Sequence, residues 1–156
     1  MRNFYFANQF KHRHESRQVQ MLLEHYHDLH LLNPFYDNGR DDVKQYDLLE
    51  KKADLNTMVK TRCERMTDDR CLEIMLTDLE WISECDGIVC ILYDHDVLGS
   101  FMEIFYCSYI LKLPVYLICA EPSIRDHLWI RALCWKIFLT VDEFVEYARL
   151  NPKEMR

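Results

Sequence analysis

The sequence feature that most constrains the fold is a continuous apolar run at residues 87–93, GIVCILY. An unbroken, largely β-branched run of this length is typical of a strand that is buried on both faces of a parallel sheet. A similar run, PVYLIC, occupies residues 114–119, and shorter apolar runs lie at residues 3–7, 30–35 and 137–140. These runs are predicted to be the strands of one sheet.

Helical patterns fill the intervals between these strands. The most regular one follows Asp68 and Asp69, either of which is a suitable N-cap. Its apolar residues recur at every third or fourth position, as on one face of a helix: Leu72, Met75, Leu76, Leu79 and Ile82. Further helices are predicted at residues 15–28, 101–111, 124–134 and 142–150. Because strands and helices alternate, we predict a doubly wound α/β fold with a five-stranded parallel sheet.

One segment, residues 36–67, interrupts this alternation. From Arg40 onward it is charged and only weakly periodic, and it is long enough for one or two exposed helices. We predict that it forms a lid within a single domain that spans residues 1–156.

Size, charge and cysteine content exclude several classes of protein. A chain of 156 residues and 19.0 kDa fits one domain and can bury a core without disulfides. Its 19 Lys and Arg against 26 Asp and Glu give a net charge of −7, which disfavours binding to nucleic acid. No stretch reaches the ~18 apolar residues of a membrane span. The seven cysteines are an odd number and include no CxxC pair, so we expect a reducing, cytoplasmic location and no metal site. We expect a soluble protein without a cofactor.

Glu103 is the first candidate for chemistry, because it is the only charged residue between Val97 and Leu111. It follows Ser100 by three residues, and Ser-x-x-Glu before an apolar run also fits a capping box, in which the carboxylate bonds to the N-cap amide. The alternative is an ionised carboxylate near a helix N-terminus, aimed at the cleft and suited to be a nucleophile.

Asp78 is the second candidate. On a helical wheel it falls among apolar residues, between Met75 and Ile82. An unpaired buried carboxylate costs several kcal/mol, so Asp78 requires a partner in the core, a raised pKa or a water-filled cleft.

Two more carboxylates, Asp94 and Asp96, directly follow the strand at residues 87–93. With His95 between them they form at most a weak metal motif, and turn residues explain them equally well. A basic run, Lys11 to Arg13, follows the first strand, where it either binds a phosphate near a helix N-terminus or lies on a solvated surface.

These residues together resemble the motifs of one enzyme family. The segment 77–120, with FYFANQF at the start of the chain, resembles the nucleoside 2-deoxyribosyltransferases. Those enzymes begin with an aromatic strand of the YFA type, matched by residues 5–7, followed by an aromatic that Phe10 reproduces. They continue with an Asp-Leu helix, here Asp78-Leu79, which leads into a strand of the C/A-D-x-x-V type, here residues 85–89. A Gly-x-x-x-Glu helix start follows, here Gly99 to Glu103.

The resemblance implies a flavodoxin-like or Rossmann-like fold and cleavage of the N-glycosidic bond of a 2′-deoxynucleoside. Glu103 attacks C1′ and forms a covalent deoxyribosyl intermediate, Asp78 or Asp96 protonates the departing base, and a second base or water accepts the sugar. The implied partners are a nucleoside or nucleotide, a free nucleobase and further copies of the chain. The predicted substrate-binding residues are Phe6, Ala7, Gln9, Phe10, Tyr36, Asp94, Gly99 and Ser100.

The chain also departs from the family pattern. The family's acidic loop residue lies six positions before the nucleophile, where this chain has Val97, and Gln9 stands where some members carry an aromatic. Two alternative functions follow. One is an N-hydrolase of 2′-deoxynucleoside 5′-monophosphates, with Lys11 and Arg13 on the phosphate. The other is a nucleotide-binding module of the same fold without catalysis, in which the carboxylates merely cap helices.

Overall fold

The computed structural model describes residues 2–26, 29–37 and 66–155. The predicted lid at residues 36–67 therefore lies almost entirely outside the described residues. Among the helices that are described, none combines the length and the apolar character needed to cross a bilayer.

Five strands form one parallel sheet, which confirms the predicted fold class. They are β1 Arg2–Asn8, β2 Leu29–Leu32, β3 Ile88–Leu92, β4 Val115–Cys119 and β5 Lys136–Phe138. Their order across the sheet is β2-β1-β3-β4-β5, which is the flavodoxin-like order. The central strands β3 and β4 are buried along their whole length, as their unbroken apolar runs predict.

The helices connect successive strands, except for the last one, which follows β5. They are α1 Arg13–Tyr26, α2 Asp68–Glu84, α3 Leu98–Phe105, α4 Pro122–Arg125, α5 Leu128–Leu133 and α6 Val141–Leu150. A 3-10 turn, Phe10–His12, precedes α1, and a π-helical turn, Tyr106–Ile110, extends α3. The predicted single helix at residues 124–134 is wrong, because Asp126 ends α4 and the His127 side chain caps α5 by accepting a hydrogen bond from the amide of Trp129.

The two faces of the sheet carry separate cores. Side chains of a strand alternate between faces, so Tyr5 and Ala7 lie in one core while Phe4 and Phe6 lie in the other. Residues of α2, α3, α4 and α5 complete the first core, and residues of α1 and α6 complete the second. The fold is therefore doubly wound, with helices on both faces.

Helix α2 differs from its prediction at its N-terminal half. Thr67, rather than Asp68 or Asp69, is the N-cap, since its hydroxyl accepts from the amide of Arg70 at 3.3 Å. The apolar stripe of α2 is buried towards its C-terminal end, at Ile82, whereas its members near the N-terminus are about half exposed: Leu72, Met75 and Leu76.

Candidate active site

The candidate site lies where β1 and β3 end. In a sheet of this order, the connections leave β1 and β3 towards opposite sides, and the resulting crevice at the carboxyl ends of the strands is where such folds bind ligands. Ala7 and Cys90 lie opposite each other in the β1–β3 register, close to this edge. Helix α3, which carries Glu103, follows β3 on the same side of the sheet as Ala7.

Glu103 is held by a hydroxyl group from β1. The phenolic oxygen of Tyr5, a fully buried residue, donates a hydrogen bond of 2.8 Å to the Oε1 atom of Glu103. The capping alternative is wrong, because α3 begins at Leu98 with Val97 as its N-cap and without a side-chain cap hydrogen bond. Ser100 lies inside the helix and is buried. The partly buried carboxylate of Glu103 is thus held by a residue of β1.

Gln9 connects the end of β1 to the loop between β3 and α3. Its Nε2 atom donates to the Oδ1 atom of Asp94 and to the carbonyl oxygen of Asp96, each at 2.8 Å. Its Oε1 atom accepts from the amide of Tyr93 at 2.7 Å. Gln9 is 3 % exposed, and both ends of its amide are engaged within the protein. Gln9, which the sequence predicts to contact the substrate, binds this loop in the structure.

Asp94 is the acidic centre of the same network. Its Oδ2 atom lies 3.2 Å from the Nζ atom of Lys11 and 3.0 Å from the Nε2 atom of His12, and its Oδ1 atom accepts from the amide of Asp96 at 3.0 Å. The hydrogen bond with His12, reinforced by those with Asp96, Lys11 and Gln9, holds the pKa of Asp94 well below its usual range. Asp94 therefore stays ionised, and Lys11, a predicted phosphate ligand, is paired with it.

Arg13, the other predicted phosphate ligand, is fully buried at the first position of α1. Its Nη1 atom donates to the carbonyl oxygen of Phe10 at 3.1 Å, and its guanidinium lies 4.4 Å from the centre of the Phe10 ring. The alternative in which Arg13 belongs to a solvated surface is therefore wrong. Phe10 in turn meets Phe35 edge to face, with ring centres 5.6 Å apart.

Phe6 and Tyr36, the other two aromatic residues predicted to flank a base, contact other parts of the protein in the structure. Phe6 is fully buried in the core on the face opposite Glu103, so the prediction that its ring flanks a base is wrong. Tyr36 lies against α1, where its hydroxyl is 2.9 Å from the Nδ1 atom of His14 and its ring is 5.3 Å from the guanidinium of Arg17.

The remaining predicted residues lie on α2, on α3 and in the loop before α3, at differing depths. Asp78 is half-buried on α2, which packs against α3. Asp96 is exposed in the loop before α3, and Gly99 is exposed at the second position of that helix. A Cβ atom added to Gly99 would meet no atom within 4 Å, so this part of α3 is open to an approaching molecule.

Two further groups with metal-binding chemistry, Cys90 and His95, lie on or just after β3. Burial, together with the nearby carboxylate of Glu103, raises the pKa of the Cys90 thiol, which stays protonated. His95 is 3.3 Å from the hydroxyl of Ser123, which itself donates to Glu121. Within the described ranges, no group of three or more His, Cys, Asp and Glu side chains is arranged to hold a metal ion.

Sequence reasoning missed the two contacts that organise the site. Tyr5 was part of the aromatic strand motif, but its bond with Glu103 was not predicted. One signal was available: a tyrosine inside a fully buried strand requires a partner for its hydroxyl. The hydrogen bond between Gln9 and Asp94 joins residues that are 85 positions apart, so no local sequence pattern predicts it.

Comparison with known proteins supports the fold. A solved structure of a 2-deoxyribosyltransferase from the psychrotolerant bacterium Bacillus psychrosaccharolyticus is similar, with a TM-score of 0.61 and 21% sequence identity. The likeness covers 93% of this chain and 91% of that one. No protein-family model matches the chain, and no curated protein matches it. The chain thus shares the flavodoxin-like fold of that enzyme.

Proposed function

We propose that this protein is a nucleoside 2-deoxyribosyltransferase with Glu103 as its nucleophile. The observation that carries the proposal is the bond from the buried Tyr5 hydroxyl to Glu103 on α3, the helix that follows β3. The fold shared with a 2-deoxyribosyltransferase supports the same reaction class.

The proposed reaction has two displacement steps at one carbon atom. A carboxylate oxygen of Glu103 attacks C1′ of the deoxyribosyl group, and the bond from C1′ to the base nitrogen breaks with its electron pair on the base. A second base, or water, then attacks C1′, gives its proton to the carboxylate that protonated the first base, and releases the Glu103 carboxylate. Two inversions give net retention of configuration.

A second carboxyl group is required to protonate the departing base. We propose Asp78, half-buried on the neighbouring helix, or Asp96, at the exposed mouth, for this role. Asp94 is unsuitable, because its lowered pKa leaves no proton to donate near neutral pH.

The substrate is proposed to lie between α3 and the end of β1. Gly99 gives close access to the backbone of α3. We propose Ala7 and Ser100, both buried, as further residues next to the substrate. Phe10 and Tyr36, both only partly buried, are available to stack on the planar base.

We also propose that the chain forms a homo-oligomer. Helices α2 and α3 pack against each other and expose large apolar side chains, which suit a contact with another copy. The four that best illustrate this are Leu72, Met75, Leu98 and Met102. Light scattering during size-exclusion chromatography measures the mass directly.

The test of function is chromatography of products after incubation with each 2′-deoxynucleoside and each 5′-monophosphate, with and without a free acceptor base. A transferase forms a new deoxynucleoside only when the acceptor is present. Release of free base without acceptor indicates a hydrolase, and reaction of the monophosphates alone supports the nucleotide hydrolase. The variant Glu103→Gln, which keeps size and polarity, is expected to abolish both reactions; unchanged turnover would refute the proposal.

A further inference from the structure

We propose that Gln9 and Asp94 form a positioning pair that holds the loop at residues 93–97 and thereby places Glu103 for attack. This inference rests on the proposed function for its kinetic consequences. The contacts that support it are properties of the structure itself.

Gln9 attaches the loop at several points. Its side chain bonds to the amide of Tyr93, to the carbonyl oxygen and the carboxylate of Asp94, and to the carbonyl oxygen of Asp96. Because Gln9 is almost completely buried, water does not compete for these bonds. One side chain thus replaces the backbone pairing that the loop loses where β3 ends at Leu92.

Asp94 sets the orientation of the Gln9 amide. A carboxylate only accepts hydrogen bonds, so the Nε2 atom of Gln9 must face Asp94, and its Oε1 atom then faces the amide of Tyr93. Lys11 and His12, from the turn before α1, hold the other oxygen of Asp94. The carboxylate therefore connects this turn, the end of β1 and the loop.

The segment from Tyr5 to Gln9 also contacts the helix that follows the loop. Tyr5 bonds to Glu103 on α3, while Gln9, four residues further along the chain, bonds to the loop that ends where α3 begins. Both ends of the unit from Tyr93 to Glu103 are fixed by one segment. Displacing the loop consequently shifts Glu103 relative to Tyr5, and a small misplacement of a reacting group strongly slows catalysis.

The test compares Asp94→Asn and Gln9→Met with the matched control Asp142→Asn. Asp142 is an exposed carboxylate in the first turn of α6. It is not among the hydrogen-bond partners of Gln9 or Asp94. We expect kcat to fall about tenfold or more in both loop variants, with KM changed less than about threefold, and neither constant to change in the control.

A second measurement needs no substrate. Hydrogen exchange of the amide of Tyr93, which Gln9 protects, is expected to become at least about tenfold faster in both loop variants and to stay unchanged in Asp142→Asn. Asp94→Asn also leaves Lys11 and His12 without their carboxylate. Binding of inorganic phosphate is therefore expected in that variant and not in the wild type.

The outcomes separate this inference from the proposed function. A wild type inactive on every nucleoside refutes the proposed function, and the exchange measurement still decides whether the pair holds the loop. The phosphate measurement shows whether Asp94 occupies Lys11 and His12. An increase of KM alone in Asp94→Asn would make Asp94 a substrate ligand and overturn the positioning role, as would unchanged exchange at Tyr93. If Asp94→Asn does not fold, Gln9→Met and the milder Lys11→Ala give the same comparison.

Discussion

At the scale of single residues, the proposed role of Glu103 depends on its hydrogen bond with Tyr5. A surface glutamate in a helix gains little from a neutral partner, whereas this carboxylate accepts a bond of 2.8 Å from a phenol that is wholly buried. The donor restricts the rotation of the carboxylate, as the orientation of the proposed nucleophile requires.

The variant Tyr5→Phe tests this role, since phenylalanine fills the same space without the hydroxyl. A hydrogen bond to a charged group contributes about 1.5–3 kcal/mol, so a loss of orientation at the lower end of this range lowers kcat roughly tenfold. We expect the melting temperature to stay within a few degrees of the wild type, as monitored by circular dichroism. An unchanged kcat in a folded Tyr5→Phe protein would show that the hydrogen bond from Tyr5 does not orient Glu103 for the reaction.

The sequence predicted Glu103 because a lone charge in an apolar helix is a strong local signal. It did not distinguish the roles of the residues at the end of β1. Phe6 and Gln9 both fit a substrate contact by residue type, yet one lies in the core and the other binds the loop. The face and the neighbours of a side chain decide its role, and these depend on which strand pairs with β1.

At the scale of elements, a buried polar network fixes α1 to β2. The side chain of Gln20 donates to the carbonyl oxygen of Leu31 at 2.6 Å and accepts from the Nδ2 atom of Asn33 at 2.9 Å. Asp37 closes the turn after β2 by accepting from the amide of Asn33 at 2.7 Å. This turn explains why β2 ends at Leu32, earlier than the apolar run at residues 30–35 predicts.

Removal of Gln20 is expected to destabilise the fold. Gln20→Ala leaves the carbonyl oxygen of Leu31 and the side-chain amide of Asn33 buried without these partners. Each such group costs about 1–3 kcal/mol. We expect the free energy of unfolding in urea to fall by about 2–4 kcal/mol. The matched control is Gln18→Ala, an exposed position on the same helix, where the change should stay within about 0.5 kcal/mol. Equal effects of the two substitutions would contradict a structural role for the network.

At the scale of the whole molecule, the sheet was predictable and the assembly of the site was not. Unbroken apolar runs mark buried parallel strands, but such runs look alike, so they do not reveal which strands are neighbours. The order β2-β1-β3-β4-β5 follows from the resemblance alone at the level of sequence. That order is what brings Gln9 next to Asp94, and with it the turn before α1 next to the loop before α3.

Because this connection depends on an ionised Asp94, the stability of the molecule should depend on pH in the acid range. The pKa of Asp94 is lower in the folded chain than its unfolded value of about 3.9, chiefly through the bond with His12. Such a group stabilises the fold fully above the unfolded pKa, and this contribution is lost as the pH falls towards the folded pKa.

The wild type should therefore exceed Asp94→Asn in free energy of unfolding by more at about pH 5 than at about pH 2.5. Urea titrations of both proteins at the two pH values measure this difference of differences, in which the effects of all other carboxylates cancel to first order. An advantage that stays constant between the two pH values would mean that the ion pairs of Asp94 do not hold its carboxylate ionised. The loop before α3 would then depend on the Gln9 amide alone for its attachment to β1.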